Sequence, residues 1–217
     1  MDVAIAGGHG KIGMRLGALL AERGDAVRGI IRNGEQSDDL RVRGVHPVVC
    51  NLEAAALDAV VTAVQGADAV VFAAGAGPSS GPQRKTTMDY GGALLLLQAA
   101  TAAQVGRYVI VSAMGADASA PDDGGFGTYL RAKGMADDAV RAGAPAWTVV
   151  RPGGLTDDVG TGRVTIGPAL PEGKVSRDDV AAVLVAVLDD AGTAGVSFDL
   201  TNGPSSIVEA LASLRRD

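Results

Sequence analysis

The sequence predicts an α/β fold in which helices cover both faces of a doubly wound parallel sheet. Three observations support this prediction: short apolar runs without polar alternation recur along the chain, helical stretches separate them, and a glycine cluster follows the first run. Strands that are apolar on both faces are typical of parallel sheets buried between helices. The length of 217 residues suits one large domain with a single core.

The first part of the chain has the pattern β-α-β-α-β. Asp2–Ala6 is a short apolar run that ends in glycines, as a buried strand before a turn does. From Lys11, apolar side chains recur on one face of a helix, and Gly24 ends that helix. The elements predicted next are a strand at Ala26–Ile31, a short helix at Asp38–Arg43 and a strand at Val45–Val49.

The same alternation continues towards the end of the chain. The predicted helices are Glu53–Val64, Ala93–Ala103, Tyr129–Arg141, Asp178–Leu188 and Ile207–Leu214, and the predicted strands are Ala69–Ala73, Tyr108–Val111, Trp147–Val150 and Val196–Leu200. The rhythm changes at a glycine-rich patch, Gly153–Gly167, but the chain beyond it is too short for a second core. We therefore expect a single domain, with mobile loops at Gly75–Lys85 and Ala113–Gly127.

Composition and charge exclude several classes of function. The formal net charge is -6, so the overall field repels nucleic acid and anionic membranes. Cys50 is the only cysteine, which excludes an intramolecular disulfide, and no Cys and His cluster has the spacing of a metal site. The sequence has no apolar run long enough to span a bilayer and no signal-peptide pattern at its start. We expect a cytoplasmic protein, either a monomer or a homodimer.

A glycine-rich loop lies between the first predicted strand and the first helix. It consists of Gly7, Gly8, His9, Gly10, Lys11, Ile12 and Gly13. Such glycines let a diphosphate approach the backbone, and the helix N-terminus supplies positive potential. An ordinary turn is the alternative, but the strand before and the amphipathic helix after favour a dinucleotide site in a Rossmann-type fold. We expect His9 to be a surface residue, because nothing beside it in the sequence would orient an imidazole.

The end of the second strand indicates which dinucleotide binds. NAD-specific sites usually present a carboxylate there, about 20 residues after the glycines, to the ribose 2′-hydroxyl. This chain has Arg32 followed by Asn33, and a guanidinium would attract a 2′-phosphate through charge-assisted hydrogen bonds. A solvated surface charge is the alternative role for Arg32. We predict NADP(H) in preference to NAD(H), with Arg15 as a weaker second cation.

Two further turns are candidate cofactor contacts. Asn51 and Leu52 follow the third strand, where a polar side chain could reach the adenine edge. Ala73, Ala74 and Gly75 follow the fourth strand, where small residues let the backbone pass close to the ribose and diphosphate. A plain turn is the alternative at both places. We expect His46 and Cys50, which flank the third strand, to be structural.

Three residues form a candidate proton-transfer group. Ser112 ends the fifth strand, and Tyr129 and Lys133 lie four residues apart on one helix face. We expect Lys133 to lower the pKa of the phenol from its usual value of about 10, so that Tyr129 donates a proton to a carbonyl that Ser112 orients. Chance is the alternative, because a Tyr and a Lys at helical spacing are common.

Together these motifs resemble the atypical short-chain dehydrogenases/reductases. This small NAD(P)-binding group includes proteins similar to biliverdin-IXβ reductase, NmrA and the NAD-dependent epimerases/dehydratases. The matching segments are GGHGKIG with RLGALLAERG, IIRN, MDYGGALLLLQAA, YVIVSAMGAD, YLRAK, WTVVRPGGLTDD, VSRDDVAAVLVAVLDD and FDLTNG. The resemblance covers nearly the whole chain, and only the combination of segments is specific.

The resemblance implies a cofactor above the carboxyl ends of the strands. Lys133 would hold the nicotinamide ribose with Ser112 nearby, and Arg151, Pro152 and Gly153 would border the nicotinamide. Members with the Ser, Tyr and Lys set reduce carbonyls by hydride transfer. Residues 1–152 would then be the cofactor-binding core, and 153–217 a C-terminal elaboration on the substrate side.

One departure from the family pattern concerns the long helix. The larger relatives have an Asn where this chain has Asp89, so a water relay that depends on an amide is in doubt. The leading hypothesis is an NADPH-dependent reductase of a small carbonyl, quinone-like or flavin-like acceptor. A non-enzymatic NADP(H) redox sensor is the alternative. An epimerase or dehydratase would need tightly retained NAD, which Arg32 disfavours.

Overall fold

A large, mostly parallel sheet forms the centre of the molecule. The computed structural model describes residues 1–77, 80–144 and 146–214. The strands are β1 Asp2–Ala6, β2 Ala26–Ile31, β3 His46–Val49, β4 Ala69–Phe72, β5 Arg107–Val111, β6 Trp147–Pro152, β7 Gly154–Thr156, β8 Arg163–Gly167, β9 Lys174–Ser176, β10 Val196–Asn202 and β11 Ser205–Ser206. Within the described ranges, nine strands form one sheet in the order β11-β8-β10-β6-β5-β4-β1-β2-β3. β7 and β9 form a separate parallel pair.

Helices connect the strands along both faces of the sheet. They are α1 Lys11–Glu22, α2 Ser37–Arg41, α3 Leu57–Val64, α4 Pro82–Arg84, α5 Ala93–Ala102, α6 Phe126–Gly143, α7 Arg177–Asp189 and α8 Ile207–Ser213, with a π-helical segment, Lys85–Gly92, that joins α4 to α5. Among the described residues, none of these helices is both long and apolar enough to cross a membrane.

Both faces of the sheet are apolar because successive strand residues point to opposite sides. On β1, Val3 and Ile5 pack into one core cluster with α1, α7 and α8, whereas Ala4 and Ala6 pack into the other with α3, α5 and α6. All four side chains are fully buried. The parallel strands from β3 through β10 therefore form the doubly wound Rossmann-type sheet that the sequence predicts, and the fold class is confirmed.

The chain beyond Pro152 extends the same sheet. β10 pairs with β6 in parallel, and β8 and β11 continue the edge in antiparallel pairing. The glycine-rich patch at Gly153–Gly167 contains two strands, β7 and β8, which the sequence pattern did not predict. The helix α7 packs on α1, so the last third of the chain shares the core of the first.

Three predicted boundaries were wrong for local reasons. The helix expected from Glu53 begins at Leu57, because the side chain and carbonyl of Asn51 accept hydrogen bonds from the amides that follow and form a turn. The helical segment expected from Ala93 begins at Pro82, inside the loop predicted at 75–85, of which residues 78 and 79 lie outside the described ranges. The helix expected from Tyr129 begins at Phe126.

Candidate cofactor and active site

The glycine loop is fixed to the sheet by its backbone. Gly7 adopts a positive φ of 82°, and the amides of Gly7 and Gly8 both donate to the Ile30 carbonyl, at 3.2 and 3.1 Å. A Cβ placed on Gly13 would lie 2.2 Å from the Gly7 carbonyl oxygen, so α1 can approach the loop this closely only with glycine there. The sequence therefore brings the start of α1 against the carboxyl end of β1.

The start of α1 fits an anionic group. The first-turn amides of Lys11, Ile12 and Gly13 have no acceptor four residues earlier in the helix. In the described chain, Gly10 at the N-cap offers no side-chain hydrogen bond and the first turn carries no acidic residue. By contrast, a serine side chain caps the start of α7 and another that of α8. Free amides with positive helix potential are the donors that a diphosphate needs.

A cleft of about 290 Å³ opens at the carboxyl ends of β1 to β4. The residues predicted as cofactor contacts that line it are Gly7, His9, Gly10, Arg32, Asn51, Leu52, Ala73, Ala74 and Gly75. Sequence reasoning missed Gln36, Cys50, Ala76, Arg84 and Met88, which also line it. Cys50, expected to be structural, has a half-buried thiol in the cleft wall, where burial raises its pKa.

Arg32 lies at the end of β2, on the cleft, with an exposed side chain. Among the described residues, its guanidinium has no hydrogen-bond or ion-pair partner. The side chain of Asn33, also predicted to contact the cofactor, accepts from the Glu35 amide and donates to the Glu35 carboxylate. Arg15 pairs with Asp178 of α7, which commits that cation to the interface between α1 and α7.

His9 is held by partners that are distant in sequence. Its Nε2 lies 2.7 Å from the Asp39 carboxylate, and its Nδ1 lies 3.2 Å from the side-chain amide of Gln36. The hydrogen bond with His9 holds the pKa of Asp39 below its usual range. The imidazole is thus oriented by two residues that follow β2 and not by its neighbours in sequence.

The remaining residues of the glycine loop contact the rest of the protein and do not line the cleft. Ile12 is buried in the core, and Gly8 lies against the backbone of Gly29 on β2. The Lys11 ammonium pairs with Asp157, in the segment after β7. The side chain of Lys11, predicted to contact the cofactor, is thus engaged elsewhere, although its amide remains in the first turn of α1.

Lys133 is the most confined of the predicted catalytic residues. Its side chain is 5% exposed, and its Nζ donates to the Val111 carbonyl at 3.0 Å. The same Nζ lies 3.2 Å from Oδ1 of Asp89 and 5.7 Å from the centroid of the Phe72 ring. Burial disfavours the ammonium and is the largest single effect, but Asp89, Tyr129 and Asp137 together outweigh it and raise the pKa of Lys133.

Tyr129 lies one helical turn before Lys133 on α6, and its ring stacks on that of Phe126 with centroids 5.8 Å apart. The expectation that its pKa falls was wrong for this structure. Burial raises the pKa of the phenol, the Lys133 ammonium lowers it, and the carboxylates of Asp89 and Asp137 raise it again. Tyr129 is therefore a protonated phenol around neutral pH.

Asp89 is the residue that sequence reasoning noticed without assigning a role. It lies in the π-helical segment with only 1% of its surface exposed. Besides its pairing with Lys133, its Oδ2 accepts a hydrogen bond of 3.2 Å from the amide of Ala76 in the cleft wall. Asp89 thereby joins the cofactor cleft to the Tyr129 and Lys133 group.

Arg151, which the resemblance places beside the nicotinamide, has a buried carboxylate as its side-chain partner. Its guanidinium donates to Oδ2 of Asp137, at 2.9 Å from Nε and 2.7 Å from Nη2, and Asp137 is fully buried on α6. Burial raises the pKa of Asp137, although the Ser112 hydroxyl and Arg151 both favour its charged form. The Arg151 side chain is thus directed to α6, whereas Pro152 and Gly153 accept from and donate to neighbouring backbone.

Comparisons with known proteins agree with this geometry. A family model described as NAD(P)H-binding matches residues 7–191. A Bacillus subtilis (strain 168) protein named as an uncharacterized sugar epimerase is 37% identical, over 99% of this chain and 100% of the relative. The solved structure of a candidate NAD-dependent epimerase/dehydratase from Bacillus halodurans superposes with a TM-score of 0.90 at 34% identity, covering 98% of this chain and 99% of that one.

A more distant structure shares the fold alone. It is an anaerobillin reductase from Escherichia coli O157:H7, with a TM-score of 0.79 at 21% identity, covering 94% of this chain and 100% of that one. Reductases and epimerase-like proteins are thus both structural neighbours. The chain therefore belongs to the NAD(P)H-binding family, and its Rossmann-type fold is that of the atypical short-chain dehydrogenases/reductases it resembles.

Proposed function

We propose that this chain is an NADPH-dependent reductase of a small carbonyl, quinone-like or flavin-like acceptor. The observation that carries the proposal is the Tyr129 and Lys133 group: a protonated phenol one helical turn from a buried, charged ammonium. A general acid of this kind is what a carbonyl needs when it accepts a hydride, because negative charge develops on its oxygen. The reductase neighbours agree with this chemistry.

The proposed roles follow from where each side chain lies. A bound nicotinamide would supply the hydride. Tyr129 donates its proton to the acceptor oxygen, while Lys133 stabilises the negative charge that the phenol then acquires. Ser112, buried at the end of β5 beside Asp137, orients the acceptor. A carbonyl acceptor gains hydride at carbon and a proton at oxygen, and solvent reprotonates Tyr129 at the end of each turnover.

The preference for NADPH over NADH rests on Arg32. This side chain lines the cleft at the end of β2, where the ribose 2′-position of a dinucleotide lies in Rossmann-type sites. Its guanidinium is exposed and, within residues 1–77, 80–144 and 146–214, has no direct hydrogen bond or ion pair, only a longer-range attraction to the Glu53 carboxylate, so it can bind a phosphate without first breaking an ion pair.

The test is NADPH oxidation across a panel of aldehydes, ketones, quinones and flavins, measured for wild type and Tyr129→Phe. Loss of a general acid is expected to lower kcat by about 100- to 10,000-fold with active acceptors and to leave NADPH affinity unchanged. Inactivity of the wild type towards every acceptor class, or full activity of Tyr129→Phe, would refute the reductase assignment.

An NAD-dependent epimerase or dehydratase is the second candidate, because one similar protein is named as an uncharacterized sugar epimerase and another as a candidate NAD-dependent epimerase/dehydratase. Such enzymes regenerate their cofactor within each cycle and keep NAD tightly bound. A nucleotide released from denatured, freshly purified protein distinguishes the two: NAD at a ratio near one per chain favours the epimerase class, and an empty or NADP-loaded site favours the reductase.

A further inference from the structure

The buried Asp89 carboxylate bridges two parts of the site. Its Oδ1 lies 3.2 Å from Nζ of Lys133, and its Oδ2 accepts from the Ala76 amide, also at 3.2 Å. Only 1% of Asp89 and 4% of Lys133 is exposed, so water screens their attraction weakly. This pair is therefore a fixed part of the site and not a loose surface contact.

The position of Asp89 depends on an unusual helical turn. Residues Lys85–Gly92 form a π-helical segment that packs against α6. Such segments are rare and frequently occur at functional sites. Lys85 of the same segment donates to the Gly125 carbonyl at 2.8 Å, immediately before α6. Lys85 thus ties the beginning of the segment to the residue before α6.

The charges around Tyr129 come from three elements. Lys133 and Asp137 belong to α6, Asp89 belongs to the π-helical segment, and Arg151 of β6 is paired with Asp137. With an Asn in place of Asp89, Lys133 would be the uncompensated cation nearest the phenol. With Asp89, each of the cations Lys133 and Arg151 has a carboxylate partner, and the Lys85 ammonium, which donates to the Gly125 carbonyl, is the further charge beside the start of α6.

We infer that Asp89 is a positioning residue that fixes the Lys133 ammonium and opposes its field at Tyr129, so that the phenol keeps its proton until an acceptor oxygen takes it. The inference deepens the proposed function and rests on it for its consequence, which is a site biased towards reduction of a carbonyl over oxidation of an alcohol. The opposing effects of Lys133 and Asp89 on the pKa of Tyr129 agree with this charge balance.

The direct test is ionisation of Tyr129 without any cofactor or substrate. Ultraviolet difference spectra between each protein and its Tyr129→Phe counterpart isolate this phenol from Tyr90 and Tyr108. Asp89→Asn is expected to lower the pH at which Tyr129 ionises by about one unit or more. The matched control, Asp58→Asn on the exposed start of α3, is expected to leave it unchanged.

A second pair of variants keeps the inference testable if the Asp89→Asn protein does not fold. Lys133→Met is expected to raise the pH of ionisation, and Asp89→Asn added to Lys133→Met is expected to bring it back towards that of the wild type. An unchanged or higher ionisation pH when Asp89 is removed, in either background, overturns the inference.

The pH dependence of the reduction rate provides a separate test. If the protein is a reductase, its rate with NADPH should decline at a lower pH in Asp89→Asn than in the wild type, because the phenol loses its proton earlier. If no acceptor is reduced but Tyr129 titrates as expected, the charge balance stands and the proposed function fails. If acceptors are reduced but the ionisation of Tyr129 does not respond to removal of Asp89, the proposed function stands and the inference about Asp89 fails.

Discussion

The two cations of the candidate site, Lys133 and Arg32, differ in burial and in pairing. Lys133 is buried and already bound by a carboxylate and a carbonyl, so its charge is fixed before any ligand arrives. Arg32 is exposed on the cleft, and within the described ranges it has neither a hydrogen-bond nor an ion-pair partner. A fixed charge tunes neighbouring groups, whereas an unpaired guanidinium is available to recognise a ligand.

The first residue-scale prediction concerns Arg32→Asp. Replacing the guanidinium by a carboxylate removes the charge-assisted hydrogen bonds to a 2′-phosphate and adds repulsion, so NADPH affinity should fall about 10- to 100-fold or more. NADH, which lacks that phosphate, should bind as well as before or better. Isothermal titration with both nucleotides measures the two affinities.

The matched control for this variant is Arg131→Asp. Arg131 lies on α6, is exposed, and is not part of the cleft lining, and it undergoes the same change of charge. Its variant should bind both nucleotides as the wild type does. Equal loss of NADPH affinity in the two variants, or none in either, would show that the 2′-phosphate lies elsewhere.

Sequence position identified single residues but not their partners. Gly7, Arg32 and Tyr129 could be found because each follows a strand or recurs at a helical spacing. The pairing of Asp89 with Lys133 could not, because it depends on the register of a π-helical turn that no apolar pattern marks. The direction of the Arg151 side chain was equally hidden, since it is set by a buried carboxylate on another element.

At the scale of the element, α1 is the part of the fold that a single methyl group should disturb most. Gly13→Ala places a Cβ 2.2 Å from the Gly7 carbonyl, which is backbone and cannot move aside cheaply. We expect a loss of about 1–3 kcal/mol in the free energy of unfolding, as overpacked cores show. NADPH affinity should fall at least about tenfold, since the first-turn amides must shift.

Urea denaturation and nucleotide titration measure these two effects. The matched control is Gly106→Ala, because a Cβ there meets no atom within 4 Å and the residue has no positive φ. The control should change stability by no more than about 0.5 kcal/mol. A Gly13→Ala protein as stable and as tightly binding as the wild type would contradict the role given to this contact.

Most elements could be predicted because buried strands and amphipathic helices carry strong patterns. The misses share a cause: they are fixed by hydrogen bonds rather than by apolar spacing. The helical segment before Ala93 is polar at Lys85, Thr86 and Thr87, so it resembles a loop in sequence. The short strands β9 and β11 have three and two residues, too few for alternation to be visible.

At the scale of the whole molecule, acidic residues tie the last third of the chain to the first. Hydrogen bonds from Lys11 hold the pKa of Asp157 below its usual range, and those from Arg15 do the same for Asp178. A carboxyl with a lower pKa in the folded than in the unfolded state stabilises the fold above its unfolded pKa. That stabilisation is lost as the pH falls through the folded pKa.

Stability should therefore be nearly constant from about pH 7 to pH 5 and fall below about pH 4. Urea midpoints from far-ultraviolet circular dichroism measure it, and Asp157→Asn should make the acid decline shallower. Because these carboxylates are partly exposed, 1 M salt should also weaken the effect. The buried Asp137, whose pKa is raised by burial, acts in the opposite direction, so a stability that rises in acid would mean that it dominates.

The strand order has a consequence for synthesis on the ribosome. Of these strands β1 is made before the others, yet it lies in the interior of the sheet between β2 and β4. Its second neighbour exists only when the nascent chain has been made as far as Phe72, and α1 meets α7 only after Asp189. Until then the start of the chain exposes an apolar strand edge and helix face, which makes early translation the period when a chaperone would matter most.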